Sequence, residues 1–468
     1  MSAPPGRPNE GALPLGGTAR SAKGAQVEGA PVDCDVLVVG GGPAGSTAAT
    51  LLARQGRHVV LLEKAHHPRF HIGESLLPAN VRLFDELGLR AELERIGIVK
   101  RGIEFVSPEH LHSSFLEFAD AWDKTMPYAW QVRRSVLDEI LFRHAAASGA
   151  HALEGCRVTK MDFEVDGVHV NAIGQDGAQR RWRARYLLDA SGRDTLLAAK
   201  LGLKRKNDEH GSAAIFGHFH GAHRLEGRLE GNITIFWFPH GWFWFIPLAD
   251  GSTSVGAVCW PYYLKSRDKP LREFFADTIA LAPELQKRLR DATLIDEMVY
   301  ATGNYSYAST RACGERHALL GDAFAFIDPV FSSGVYFAMR SAFGAAQLVA
   351  AELDHPEQAA AARRAYGELA EKGPQEFSWF IYRMTNPAMR ELFMHPGNPL
   401  RVKEAVLSLL AGDIHGGTPI WRSLWLFKAI YYLTWLGNAP RAWRAWRARR
   451  RNIRHVGPTQ GENVLVDH

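Results

Sequence analysis

The sequence predicts an α/β protein: a parallel sheet, a second sheet inserted into its chain path, and a helical extension at the C-terminus. Three observations carry the prediction. A strand–glycine turn–helix–strand unit occupies residues 35–64, and a second strand-to-helix turn occupies residues 317–335. The stretch between them holds short runs rich in β-branched and aromatic residues.

The 468 residues exceed what one core usually serves. Hydrophobic residues make up 46% and charged residues 22%, enough for a sizeable core. A net charge of +5 is too small to argue for a nucleic-acid partner, and the basic excess is concentrated between Arg441 and Arg454. Four cysteines lie far apart, with no spacing that suggests a metal or a secreted disulfide framework. A reducing cytoplasm is therefore expected. Residues 1–32 are rich in Gly, Pro and Ala without an apolar run, so a disordered tail is expected there. The apolar stretch Leu424–Leu436 is interrupted by Lys428 and falls short of the ~20 residues that span a bilayer.

Residues 35–39 (DVLVV) read as a buried parallel strand. The turn that follows runs Gly40, Gly41, Gly42, Pro43, Ala44, Gly45, and a helix-compatible segment leads to a second strand ending at Glu63 and Lys64. Gly40 permits the tight turn, Gly42 lets backbone approach a pyrophosphate, and Gly45 lets the helix pack on the sheet. The helix start offers N–H groups and partial positive charge to phosphates. Glu63 can accept hydrogen bonds from a ribose diol. This order of elements is that of a Rossmann-like dinucleotide site, but it does not separate FAD from NAD.

The second turn decides between them. Gly321-Asp322-Ala323 follows a short apolar strand and leads through Asp328-Pro329 to Ser333, Gly334 and Val335, where a small-residue helix begins. Asp322 suits a ribityl hydroxyl, and the helix start suits the electron-rich end of a flavin. This segment resembles the GDAxxxxDP segment of the FAD family that includes aromatic hydroxylases, geranylgeranyl reductases and halogenases. Arg134 with Asp138, and the DASG run from Asp189, resemble further segments of that family. The resemblance implies an FAD-binding two-domain flavoprotein. An FAD domain over 33–345 would carry an inserted substrate sheet at about 205–300, followed by a helical region over 346–440 and a basic tail over 441–468.

Three features resemble the flavin-dependent halogenases in particular. The run Trp242, Phe243, Trp244, Phe245, Ile246, Pro247 reads WxWxIP. In a strand Trp242, Trp244 and Ile246 share one face; in the family they separate flavin from substrate. A core aromatic stripe is the plain alternative. Lys100, in the run VKRGIEF, resembles the family's catalytic lysine, which holds hypohalous acid by hydrogen bonds or as a haloamine. A solvated strand-end lysine is its plain alternative, and Arg101 is a rival. Ser333 and Gly334 match the residues where the family holds chloride or bromide. The run from Gly73 to Pro78 (GESLLP) resembles a family loop between FAD and halide. Phe331 stands where tryptophan-type members carry glutamate, which resembles the branch acting on phenols and pyrroles, so free tryptophan is discounted.

The resemblance implies FAD reduced in trans by a separate flavin reductase, and an aromatic substrate that is free or tethered to an acyl or peptidyl carrier protein. Trp443 and Trp446 among arginines suit an acidic carrier or the inner membrane face, with a solvated tail as the plain alternative. Two rival readings remain: an aromatic hydroxylase or geranylgeranyl-reductase-like enzyme, and a non-halogenating flavoprotein at a membrane.

Overall fold

In the computed structural model, residues 30–207, 210–303, 306–415 and 417–454 are described. Most of the expected N-terminal tail and the end of the basic segment lie outside them. The β-branched run at the start forms the strand Val32–Val39, which is buried from Val36 onward. It is the centre of a parallel array ordered His317–Leu319, Gln179–Asp189, Val32–Val39, Val59–Leu62, His151–Leu153. The two turn-borne helices, Pro43–Arg54 and Gly334–Asp354, pack against each other. Both glycine-bearing turns therefore open at the same end of the sheet, as parallel strands joined by crossovers require.

The second sheet runs Thr293–Leu294, Ala213–His220, Thr253–Cys259, Gly241–Pro247, Ile233–Phe238, Gly102–Val106, Ser114–Glu117. It thus draws on residues 102–117 as well as on the 205–300 stretch. Strand alternation separates its side chains into two cores. Trp242, Trp244 and Ile246 join one cluster, while Phe243 and Phe245 join Phe236 and Phe238 in another. A Cβ on Gly256, which pairs with Trp244, would come within 2.2 Å of that indole, so the glycine makes room for the ring to lie across the sheet.

Among the described residues five α-helices follow the Gly334–Asp354 helix: Ala359–Ile381, Pro387–Met394, Val402–Ala411, Trp421–Gly437 and Ala439–Arg454. The 345/346 boundary expected between domains falls inside the Gly334–Asp354 helix. The last helix occupies the start of the segment expected to be a basic tail, and most of its described residues are exposed. Arginine and alanine favour helix, Pro440 sits in its first turn, Ala442 is buried, and the helix packs on Pro387–Met394 and Trp421–Gly437. Among the described residues no helix is long and apolar enough to cross a membrane.

Candidate active site

A cavity of about 440 Å³ lies where the two sheets meet. Gly40, Gly42, Pro43 and Ala44 from the first turn, and Asp322, Pro329, Ser333, Gly334 and Val335 from the second, all border it. So do Glu63, Lys64, Arg134, Trp242, Trp244 and Ile246. The glycines act differently. Gly40 has φ +105°, and a Cβ there would sit 2.3 Å from the Ala190 carbonyl oxygen. A Cβ on Gly45 would sit 1.9 Å from the Gly40 oxygen, so Gly45 packs the turn and does not border the cavity. At Gly42 the nearest atom is Arg69 Nη2 at 3.5 Å, which leaves the backbone approachable.

The charged groups are held in place. Glu63 accepts the Gly41 N–H at 2.7 Å and the Ala65 N–H at 2.9 Å, which fixes its carboxylate. Arg134 forms a two-pronged pair with buried Asp138, at 2.8 and 3.1 Å, and donates its third arm to the Ile72 carbonyl. Burial alone would raise the Asp138 pKa, but Arg134 and Arg69 hold it below the usual carboxylate range. Lys64 pairs with Asp194 at 2.8 Å at the cavity mouth. Asp189 does not border the cavity; it accepts the Ser191 and Leu197 N–H groups and braces the turn behind it. Burial pushes Asp322 up to about 6, and among the described residues no hydrogen bond reaches its carboxylate. A ligand hydroxyl entering there would satisfy it.

At the second turn Ser332 has φ +59°, after which the long Gly334 helix starts. Ser333 is buried without capping the helix by its side chain, and a Cβ on Gly334 would meet nothing within 4 Å. The helix start thus presents free N–H groups to the cavity.

Lys100 lies behind the cavity wall. It is 1% exposed. Its ammonium donates to Ser75 Oγ at 2.9 Å and to the Leu76 carbonyl at 3.0 Å, and lies 5.4 Å from the Phe118 ring centroid. No carboxylate pairs with it among the described residues, and burial pulls its pKa down to about 7. Arg101, the rival, is only half-buried. Ser75 borders the cavity on its other side, so the GESLLP loop is a partition one residue thick. The loop is stitched to the neighbouring strand by the Val132 N–H on the Glu74 carbonyl and the Leu76 N–H on the Trp130 carbonyl.

Two expected substrate-path residues do not border the cavity: Pro247 and Phe331. The short turn Pro329–Phe331 buries Phe331 among Phe377, Phe380 and Phe393, with ring centroids 6.2 to 6.5 Å away, before Ser332 redirects the chain to the cavity. Phe393 in turn stacks on Phe105 at 4.8 Å. Phe331 therefore belongs to the aromatic packing beyond the cavity rather than to its lining. Sequence reading also missed a pair. Glu74 borders the cavity and its Oε1 lies 2.8 Å from Nε2 of buried His218, a residue of the second sheet. The strand alternation that singled out Trp242 carries the same kind of signal for His218.

Fold and cavity define a two-domain flavoprotein whose glycine turns, fixed Glu63 and free Asp322 fit FAD. A family model described as an FAD binding domain matches residues 33–365. The tryptophan 2-halogenase of Chondromyces crocatus is 37% identical over 339 residues, covering 69% of this chain and 63% of that protein. The chain spans about 63% of the length of the first curated relatives it matches. Among solved structures, the myxobacterial chondrochloren halogenase superposes with a TM-score of 0.73 at 30% identity, covering 87% of this chain and 98% of that one. A flavoprotein/dehydrogenase of Cytophaga hutchinsonii superposes with a TM-score of 0.77 at 27% identity, covering 87% and 100%. The chain belongs to the family of flavin-dependent halogenases.

Proposed function

We propose that this chain halogenates an electron-rich aromatic ring of phenol or pyrrole type, with chloride or bromide as the halogen source. The observation that carries the reading is Lys100: a buried, carboxylate-free amine one residue from the FAD cavity. Bound FAD, reduced by a separate flavin reductase, would supply an electrophilic hypohalous acid from halide and oxygen.

The residues of the chain do the rest. Ser333 and Gly334 would hold the halide at the helix start, and Trp242, Trp244 and Ile246 would keep the ring of the substrate from the flavin. Lys100, with a pKa of about 7, can donate an N–H to the hypohalous acid or receive the halogen as a neutral amine. Phe105, Phe331 and Phe393, which pack as one aromatic group, would receive the aromatic substrate. The test is mass spectrometry of reactions containing the protein, FAD, a reductase, NADH and each halide, over free and carrier-bound phenols and pyrroles. Hydroxylated products without halogen would replace this reading with that of a hydroxylase.

Substrate delivery on a carrier protein is the finer part of the reading. The last two helices expose Trp425, Tyr432, Leu433 and Leu436 beside Trp443 and Trp446, over which Arg447 and Arg450 stack. Such a face suits an acidic carrier. Salt-sensitive capture of an acyl carrier protein supports the assignment; binding to anionic vesicles instead would move it to the inner membrane face.

A further inference from the structure

The loop between strands Gly102–Val106 and Ser114–Glu117 meets the end of the Pro387–Met394 helix, and none of the residues there borders the cavity. There His110, Glu391 and His395 bring their ligand atoms within 4.8 Å of one another. Glu391 bridges the two histidines: its Oε1 lies 3.0 Å from His395 Nδ1 and its Oε2 lies 3.3 Å from His110 Nε2. Ser107 Oγ holds the other nitrogen of His110 at 2.9 Å, which orients the ring as the outer partners of metal-bound histidines do. A third imidazole, His112, stands beside them. The three ring centroids are 5.0, 5.3 and 6.3 Å apart. Rings on one tetrahedral zinc stand roughly 5–6 Å apart, given Zn–N bonds of ~2.0–2.1 Å.

We propose that His110, Glu391 and His395 bind a divalent transition metal, zinc by preference. Two imidazoles and a carboxylate form a zinc-type donor set with a fourth position left for water or His112. The ligands come from segments 281 residues apart in sequence, which is why no spacing in the chain announces them. The bound ion would staple the 107–113 loop to the helix that carries Phe393. A second group with suitable atoms, Glu164, Asp166 and His169, is a poorer candidate: Asp166 is already paired with Arg183 at 3.0 Å and with His169 at 2.9 Å.

The full chain without an added histidine tag, stripped with chelator, should take up one equivalent of Co²⁺ with the visible absorption of a tetrahedral site. Zn²⁺ should displace the cobalt and raise the melting temperature. His110→Ala and His395→Ala should each lose at least about tenfold in affinity, while His169→Ala binds as wild type. His395 is half exposed, so its replacement leaves the fold intact, and retained FAD absorbance checks this. No uptake at about 100 µM metal, where free energy of binding would fall below roughly 5.5 kcal/mol, would overturn the proposal. Unchanged affinity in both His110→Ala and His395→Ala would overturn it equally.

Discussion

The two sides of the GESLLP loop are built on opposite plans. On the cofactor side the frame is backbone, with glycine turns and two helix starts around an open volume, completed by Glu63, Arg134 and the Trp242/Trp244 face and with Asp322 awaiting a partner. On the lysine side the wall is packed side chains, and Lys100 uses Ser75 and Leu76 as its partners. A backbone-built site accepts one ligand in many proteins, because turns recur. A side-chain-built wall can be refitted by substitution without disturbing the turns.

Changes on each side should therefore have separable effects. The largest is expected for Lys100→Ala: halogenated product should fall by at least ~10³-fold with FAD absorbance unchanged, measured by single-turnover mass spectrometry. Loss of FAD along with product would mean the partition is not a true division. Next, Gly42→Val should fill the space over the helix start and weaken FAD binding by ~100-fold or more, read by fluorescence titration, while the fold persists because little abuts that position. Asp322→Asn should weaken FAD about tenfold, by losing charge-assisted hydrogen bonds. Trp244→Ala should leave FAD bound yet divert reduced flavin toward hydrogen peroxide, measured as a higher ratio of peroxide to halogenated product.

The smallest effect concerns stability. Lys100 has a folded pKa of about 7 against 10.5 for an ordinary lysine, because of burial. Above pH 10.5 it is neutral in both states and costs nothing by charge. As pH falls, the unfolded chain takes up the proton first, so wild type loses stability down to about pH 7 and the loss is complete below it. Lys100→Met should thus be more stable than wild type by about 1–4 kcal/mol at pH 6.5, with the gap shrinking at pH 9.5. Urea midpoints at the two pH values check this; a constant gap would mean the lysine is not held near neutrality.

The same contrast explains what was legible in the chain. The cofactor side follows local rules: a glycine where φ is positive, an acid at a strand end, a small-residue helix start. Strand alternation likewise placed Trp242, Trp244 and Ile246 together and set Phe243 and Phe245 behind them. The lysine side is assembled from tertiary contacts, and no local rule reports those. Phe331 could be aligned with family residues, but only the fold shows that Phe377, Phe380 and Phe393 enclose it. Strand alternation sets His218 on the Trp242 face, but its pairing with Glu74, 144 residues away, is a tertiary contact that the sequence does not report. The arginine-rich stretch is largely exposed, as its charge suggests, but its helical form and the burial of Ala442 are not visible in its charge.

Phe393 stacks on Phe105 from a helix that begins after residue 365, where the match to the FAD-binding family model stops. If the substrate ring is received on the lysine side, as proposed, one face of its site would be furnished by a part of the chain beyond the FAD-binding family model. Exchanging residues 377–415 between relatives should then hand over the taste for a particular ring and leave the handling of oxygen and halide where it was.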